Sequence, residues 1–388
     1  MSLTSLYNGY LQSPKIKQIA GVLENPHAKI QVKGLMGSSL SFVLQAVFKQ
    51  TDCTFLLLLN EKEEAAYYLN DLEQMIGAND VLFYPSSYRR PYQIEETDNA
   101  NVLLRSEVLN RLNSRKKPAL IVTYPEALFE KVVTRKELEK NTLKIAVGET
   151  VTIDFINEVL FEYEFKRVDF ITEPGEFSVR GGILDVFSFS NDHPYRIEFF
   201  GNEVDSIRTF DVESQLSVEK QTKITIIPNL ENKFINENRV SFLDYISDKT
   251  VLCIENVTFV TSQLEKLFGK AIETFDKLSS DIKHVRPELL FYNQASFLAK
   301  TAQFSVIELS NTPYFKANHF FEFYIQPQPS FNKQFDLLLN NLTENHFNGF
   351  TNYLFCSNEG QANRFIDIFE NISDEYHDTN GKKYKTIV

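Results

Sequence analysis

Cysteine is scarce in this chain of 388 residues: there are three, at Cys53, Cys253 and Cys356. They lie far apart and form no Cys-x-x-Cys pattern, which excludes a disulfide framework and a thiolate metal site and points to reduced thiols in a cytosolic protein. The six histidines, His27, His193, His284, His319, His346 and His377, make no i, i+4 pair and join no cysteine cluster, so no metal is expected. No apolar run reaches the ~18 residues of a membrane span. The N-terminus has no basic segment leading into an apolar one, so a signal peptide is not expected. Tryptophan is absent, and there is no G-x-S-x-G nucleophile elbow. Basic charge is also short. Lys and Arg number 40 against 52 Asp and Glu, a net charge of −12, which disfavours binding to a phosphate backbone as the main task. Net charge does not report distribution, however. Tyr88-Arg89-Arg90-Pro91-Tyr92 sets two cations between aromatics in the manner of a DNA contact, although a solvated loop is the plainer account of it.

What is present suffices for several packed cores. Hydrophobic residues make up 43% and Phe numbers 34, and at roughly 100–200 residues per domain the length implies two to four domains. Lys29–Lys33, Thr54–Leu59, Val81–Tyr84 and Ala119–Thr123 are short apolar runs alternating with helical patterns, as in Glu61–Ile76 and Leu103–Arg115. Strands buried on both faces and separated by helices imply a parallel sheet. From Leu143 to Phe210 the strands instead alternate polar with apolar, and Gly201-Asn202 between two such runs fits a two-residue hairpin. Apolar strands resume at Lys223–Ile227 and Val251–Ile254, followed by an amphipathic helix over Ser262–Leu278. Beyond Gln326 the pattern predicts a helix over Asn332–Leu342, a strand over Asn352–Cys356 and a helix over Glu359–Glu370. The last residues, Lys385–Val388, read as a strand, which leads to the expectation that the chain is a piece of a longer protein.

Lys33-Gly-Leu-Met-Gly-Ser-Ser-Leu-Ser-Phe42 lies between a strand and a helix, the place of a phosphate-binding loop. Against the working pattern G-x-x-x-x-G-K-[ST], Gly34 and Ser41 match, Gly37 lies between them, Ser39 replaces the second glycine and Leu40 replaces the lysine. That lysine supplies the charge that reaches the β- and γ-phosphates, and a leucine cannot. The best candidate for a magnesium carboxylate, Glu255, stands alone at a strand end and reads as solvated. A degenerate fold that has lost its chemistry is the expectation; a tight strand-to-helix turn alone also requires Gly34.

The segment Tyr163–Phe187 followed by Tyr195–Asp211 carries a polar row on a small sheet. In extended backbone Arg196, Glu198 and Phe200 share one face and Ile197 and Phe199 the other. Taken alone, such a row reads as surface ion pairs of little worth. The block E-P-G-x-F-x-V-R-G-G-I-L-D-V-F, from Glu173 to Phe187, and then R-I-E-F-F-G-x-E-V-D-S-I-R-x-F-D, from Arg196 to Asp211, resembles the second domain of the excinuclease subunit UvrB and of the bacterial transcription-repair coupling factor (Mfd). The degenerate loop at Gly34–Ser41 and the run Ile121–Phe129 are similar to the coupling factor. UvrB-like chains keep the loop intact and carry a tyrosine-rich DNA-clamping hairpin for which Phe83–Gln93 is too short.

This resemblance covers roughly residues 1–320, with a weaker likeness beyond. It implies an α/β fold: a degenerate P-loop-NTPase-like parallel-sheet domain (1–125 and 214–322), split by an inserted α+β domain with an antiparallel sheet (126–213), and then a small α/β domain (323–388). It implies a non-catalytic module that recruits UvrA to stalled RNA polymerase in nucleotide excision repair. The UvrA-binding residues would be Arg167, Arg180, Phe187, Arg196 and Glu198, with Ser178 standing where UvrB-like chains have a further Arg. It implies no cofactor in this segment, with ATP and magnesium used only by an ATP-driven DNA translocase motor beyond it. RNA polymerase and DNA would be met through those C-terminal regions, which would also mask the UvrA-binding face by an intramolecular contact. A cytoplasmic location without membrane attachment follows. The rival expectations are a divergent UvrB-like helicase subunit that still binds ATP, and a direct DNA-binding module.

Overall fold

The computed structural model describes residues 3–87, 99–114, 117–229, 239–278, 285–356 and 358–375. Two expectations, the Tyr88–Tyr92 loop and the strand at Lys385–Val388, fall outside the described residues. The chain divides into two compact units, Pro14–Phe323 and Met1–Ser13 with Tyr324–Val388.

The larger unit is built on a seven-stranded parallel sheet. Its strands are β1 (Lys29–Lys33), β2 (Phe55–Leu58), β3 (Val81–Tyr84), β4 (Leu120–Thr123), β15 (Val251–Ile254), β16 (Ser305–Glu308) and β17 (His319–Glu322). Their order is β17-β1-β16-β15-β2-β4-β3. The central strands β2, β4, β15 and β16 are buried along their whole length, which is why β2, β4 and β15 read as apolar runs in the sequence, whereas β16 carries Ser305 and Glu308 at its ends. Helices such as Ser39–Gln50 and Val257–Asp276 pack on it; the second is capped by the Asn256 side chain, which accepts from the Phe259 amide. A buried pair fixes the turn after β3. Arg105 is 1% exposed, donates to the carbonyls of Pro85 and Ala127 and lies 3.3 Å from Glu130, which accepts from the Ser87 amide and hydroxyl. The short strands β5 (Val132–Val133) and β14 (Arg239–Val240) pair antiparallel beside the points where the chain leaves and re-enters this layer.

Between them lies the insert. Strands β7 (Lys166–Arg167), β8 (Glu176–Arg180), β9 (Ile183–Val186), β10 (Tyr195–Phe200), β11 (Glu203–Phe210) and β12 (Ser217–Gln221) form a six-stranded sheet in the order β12-β11-β10-β9-β8-β7. It is antiparallel throughout except for the parallel pairing of β7 with β8. One face packs on the helix Ile153–Glu162, whose Ile156 and Leu160 meet Phe177, Leu184, Val186, Ile197, Val204 and Ile207. The helix starts where Thr152 accepts from the Phe155 amide. Strand β13 (Lys223–Ile226) pairs antiparallel with β6 (Leu143–Ala146), and Ile224 and Ile226 lie in the insert's core. Lys223–Ile227, which by its apolar pattern reads as a return to the parallel layer, therefore closes the insert instead. A second cluster, Leu103, Ile171, Phe187 and Phe210, joins the insert to the helix Asn99–Ser114 of the parallel layer.

In the smaller unit the helix Phe335–Phe347 packs Leu338 and Leu339 against Phe369 of the helix Glu359–Glu375. The segment Asn352–Cys356, expected as a strand, forms no strand. A run of five apolar-rich residues satisfies the sequence pattern, but a strand also needs a ladder of backbone pairing, and the segment enters none of the sheets among the described residues.

Candidate functional site

The outer face of the insert's sheet is polar because every second residue of β8 to β11 turns away from the helix Ile153–Glu162. Cross-strand register sets Ser178 opposite Asp185, Asp185 opposite Arg196, Arg196 opposite Arg208, and Arg208 opposite Lys220. Two-residue turns join β8 to β9 and β10 to β11, and a longer loop, 187–194, joins β9 to β10. In the first, Gly181 takes φ 61° and a Cβ on Gly182 would come within 3.1 Å of the Phe199 carbonyl oxygen.

Asp185 is the centre of the face. Its side chain is 2% exposed. Arg196 grips it with two bonds, Nε to Oδ1 at 2.7 Å and Nη2 to Oδ2 at 2.9 Å, while Arg180 donates Nη2 to Oδ2 at 2.5 Å. Arg196 also donates to Gln215 at 3.2 Å and lies 4.2 Å over the Phe210 ring, and its side chain is 14% exposed. The Asp185 bond raises the Arg196 pKa still further. Arg180 differs: its side chain is 42% exposed, it uses one Nη for Asp185, and it lies 5.1 Å over the ring of Phe170, which is itself 65% exposed. Arg167 is exposed on the neighbouring strand, and Arg167, Phe170, Ser178 and Arg180 line one open cleft. Glu198 accepts from Ser206 and from Arg208, both at 2.6 Å; the Ser206 hydroxyl first, and then Arg208, hold its carboxyl below the usual range.

Of the five residues expected at a docking face, Arg167 and Arg180 border one cleft, and Arg196 and Glu198 stand behind Arg180 on the same face, each held by a partner within the sheet. Phe187 does not share that exposure. It is 7% exposed in the cluster with Leu103 and Phe210, so it packs the insert against the parallel layer and offers no ring to solvent. Ser178 is buried and donates to the Asp169 carbonyl. Sequence reasoning missed Asp185 and Phe170. The period of two places Asp185 on the polar face, but its burial and its two guanidinium partners depend on the register, which the sequence does not print. Phe170 carried no signal that set it apart from the core phenylalanines.

The other candidate site is the loop after β1. Gly34 has φ 78°, and a Cβ there would lie 1.8 Å from the Phe323 carbonyl oxygen, so glycine is required by close approach of the chain. Gly37 also takes positive φ, in open space. Ser39 accepts from the Met36 amide at 2.8 Å and donates to the Met36 carbonyl at 2.7 Å, so the loop satisfies within itself an amide of the kind that would cradle a phosphate. Leu40 is buried at 7%. Ser41 is fully buried and its hydroxyl, which in a working loop meets magnesium, donates to Asp71 at 3.2 Å. These groups do not fit a bound triphosphate. Glu255 also departs from expectation. It is half-buried and accepts from the Asn60 amide, and burial, followed by a hydrogen bond and repulsion from Glu64, pushes it up to about 7. Among the described residues no three His, Cys, Asp or Glu side chains gather as a metal site, and no helix is long and apolar enough to cross a membrane.

Comparison with known proteins agrees with this layout. Residues 143–231, which take in the whole six-stranded sheet and the β6–β13 pair, match the family model of the UvrB interaction domain. The chain is 32% identical over 221 residues to the transcription-repair-coupling factor of Bacillus subtilis, a stretch that covers 57% of this chain and 19% of that protein. It is 29% identical over 218 residues to the transcription-repair-coupling factor of Myxococcus xanthus, covering 54% of this chain and 18% of the relative. The corresponding protein of Staphylococcus aureus is 32% identical over 220 residues, covering 56% and 18%. The match thus spans under a fifth of the length of each of these relatives.

Proposed function

We propose that this chain, which carries a UvrB interaction domain and is related to the N-terminal region of transcription-repair-coupling factors, is a non-catalytic docking module that binds a UvrA-type partner in transcription-coupled repair. The observation that carries the proposal is the cleft at the β7–β8 edge of the insert. There Arg180 stands half-exposed at the end of β8, stacked on an exposed phenylalanine and backed by a buried carboxylate, with the exposed Arg167 on the same cleft. Arg and aromatic side chains are enriched among residues that dominate binding energy, and a guanidinium offers a planar fork to a partner carboxylate. Arg196 and Glu198 support this face from within the sheet, and Phe187 supports it from beneath by fixing the insert on the parallel layer. Net charge of −12 leaves this local cationic cleft as a distinct feature for an acidic partner surface.

The loop at Gly34–Ser41 serves as a structural turn in this proposal, with neither ATP nor magnesium bound. RNA polymerase, DNA and an ATP-driven motor belong to other parts of a longer protein of this kind. Co-elution tests the docking role: the chain and UvrA, mixed at micromolar concentration, co-migrate on size exclusion, and Arg180→Glu abolishes the complex. Separate migration of the wild-type chain would refute it.

A further inference from the structure

We propose that Asp185 is a positioning residue for docking: its buried carboxylate holds the Arg180 guanidinium in the orientation in which the partner meets it. This inference rests on the docking role proposed above and assigns a task to a residue that does not itself touch the partner.

A carboxylate has about four acceptor sites. Three are filled here, two by Arg196 and one by Arg180. The two arginines divide the work. Arg196 is largely buried, bonded on two sides of its fork to Asp185 and Gln215 and stacked on Phe210, so it has little left to offer a partner. It anchors Asp185. Arg180 gives Asp185 one Nη and keeps the rest of its fork toward the cleft, half-exposed over Phe170. Of the two guanidinium groups on Asp185, Arg180 is the one that reaches solvent, on a cleft that Arg167 and Asp169 also line. An unheld Arg side chain would lose its rotamer freedom at the moment of binding; one already held loses less, so affinity rises without any new contact. The register explains why an aspartate serves. Asp185 lies directly opposite Arg196, and Arg180 reaches it from the end of the adjacent strand beyond Ser178.

The test uses the full chain, purified UvrA and four variants: Asp185→Asn, Asp185→Glu, Arg180→Ala and Arg167→Ala, with each Asp185 change also combined with each arginine change. Asp185→Glu keeps the charge and guards against a folding failure of Asp185→Asn; thermal melting checks both. The expected result is binding weaker by about tenfold for either Asp185 variant. That loss shrinks to nearly nothing once Arg180→Ala is present, yet persists in full beside Arg167→Ala. A role in folding alone would weaken binding equally on both backgrounds, and that outcome overturns the proposal, as does wild-type affinity in both Asp185 variants. If the wild-type chain binds no UvrA, the docking role and this proposal fall together; if it binds and the Asp185 variants bind as well, only this proposal falls.

Discussion

Replacing Arg196 by methionine should loosen the insert far more than the same change at Arg180. Arg196→Met removes both of its bonds to Asp185, the bond to Gln215 and the stack on Phe210. Breaking a buried pair from one side costs about 3–5 kcal/mol, because the partner charge stays buried. Here Asp185 keeps its bond to Arg180, and a charged hydrogen bond offsets about 1.5–3 kcal/mol. The difference is about 1.5–2 kcal/mol, and the lost Gln215 bond and Phe210 stack bring the net loss to about 2–3 kcal/mol. Arg180→Met leaves Asp185 in its two-bond grip, and the lost group is 42% exposed, so screening reduces the cost to about 1 kcal/mol or less. Hydrogen exchange followed by mass spectrometry reads these as local opening. Peptides spanning β8 to β10 should exchange about 30- to 150-fold faster in Arg196→Met and no more than about fivefold faster in Arg180→Met. Equal acceleration in the two variants, or none in Arg196→Met, would refute the division of labour drawn from the geometry.

Three further outcomes follow from the same structure. Glu255 has a folded pKa raised to about 7 by burial and Glu64, so its neutral form is favoured by folding; the stability it contributes is full below pH ~4.5 and is lost as pH rises through ~7. Glu255→Gln should flatten that part of the melting-temperature profile between pH 5 and 8, and an unchanged slope would exclude Glu255 as its source. Gly34→Ala should destabilise the parallel layer by a few kcal/mol, since its Cβ would meet the Phe323 carbonyl at 1.8 Å with φ at 78°; calorimetry showing wild-type stability would mean that the chain near Phe323 lies elsewhere. Cys253 is buried in β15 with its thiol pushed up by desolvation. Thiol titration with a disulfide reagent should therefore modify Cys253 only after denaturant is added, and prompt reaction in the native chain would contradict that burial.

The parallel layer was legible in the sequence because strands buried on both faces leave unbroken apolar runs, and β2, β4 and β15 all do. The insert's sheet was legible from alternation and from the Gly201-Asn202 hairpin. Pairing across distance was not: β13 reads like another buried strand, and only its pairing with β6 assigns it to the insert. The same limit governs the site. Alternation places Arg180, Asp185, Arg196 and Glu198 on one face, whereas the choice of Asp185 as the shared anchor depends on which strands lie side by side. Phe187 shows the converse. Motif spacing drew attention to it, but burial at 7% gives it a packing role that spacing cannot distinguish from an exposed one. Glu255, expected to be solvated, is instead held by the Asn60 amide because β15 lies beside β2.

Docking of a UvrA-type partner on the cleft of the insert is read most directly from the dissociation constant of this chain for UvrA, determined by calorimetric titration for the wild type and for Arg180→Glu. Docking through the cleft predicts saturable binding in the micromolar range or tighter, weakened by added salt, and a loss of at least about 30-fold in the variant, the equivalent of about 2 kcal/mol for a contact at the centre of an interface. Equal affinity of the two chains, or no heat of binding with the wild type, would contradict it.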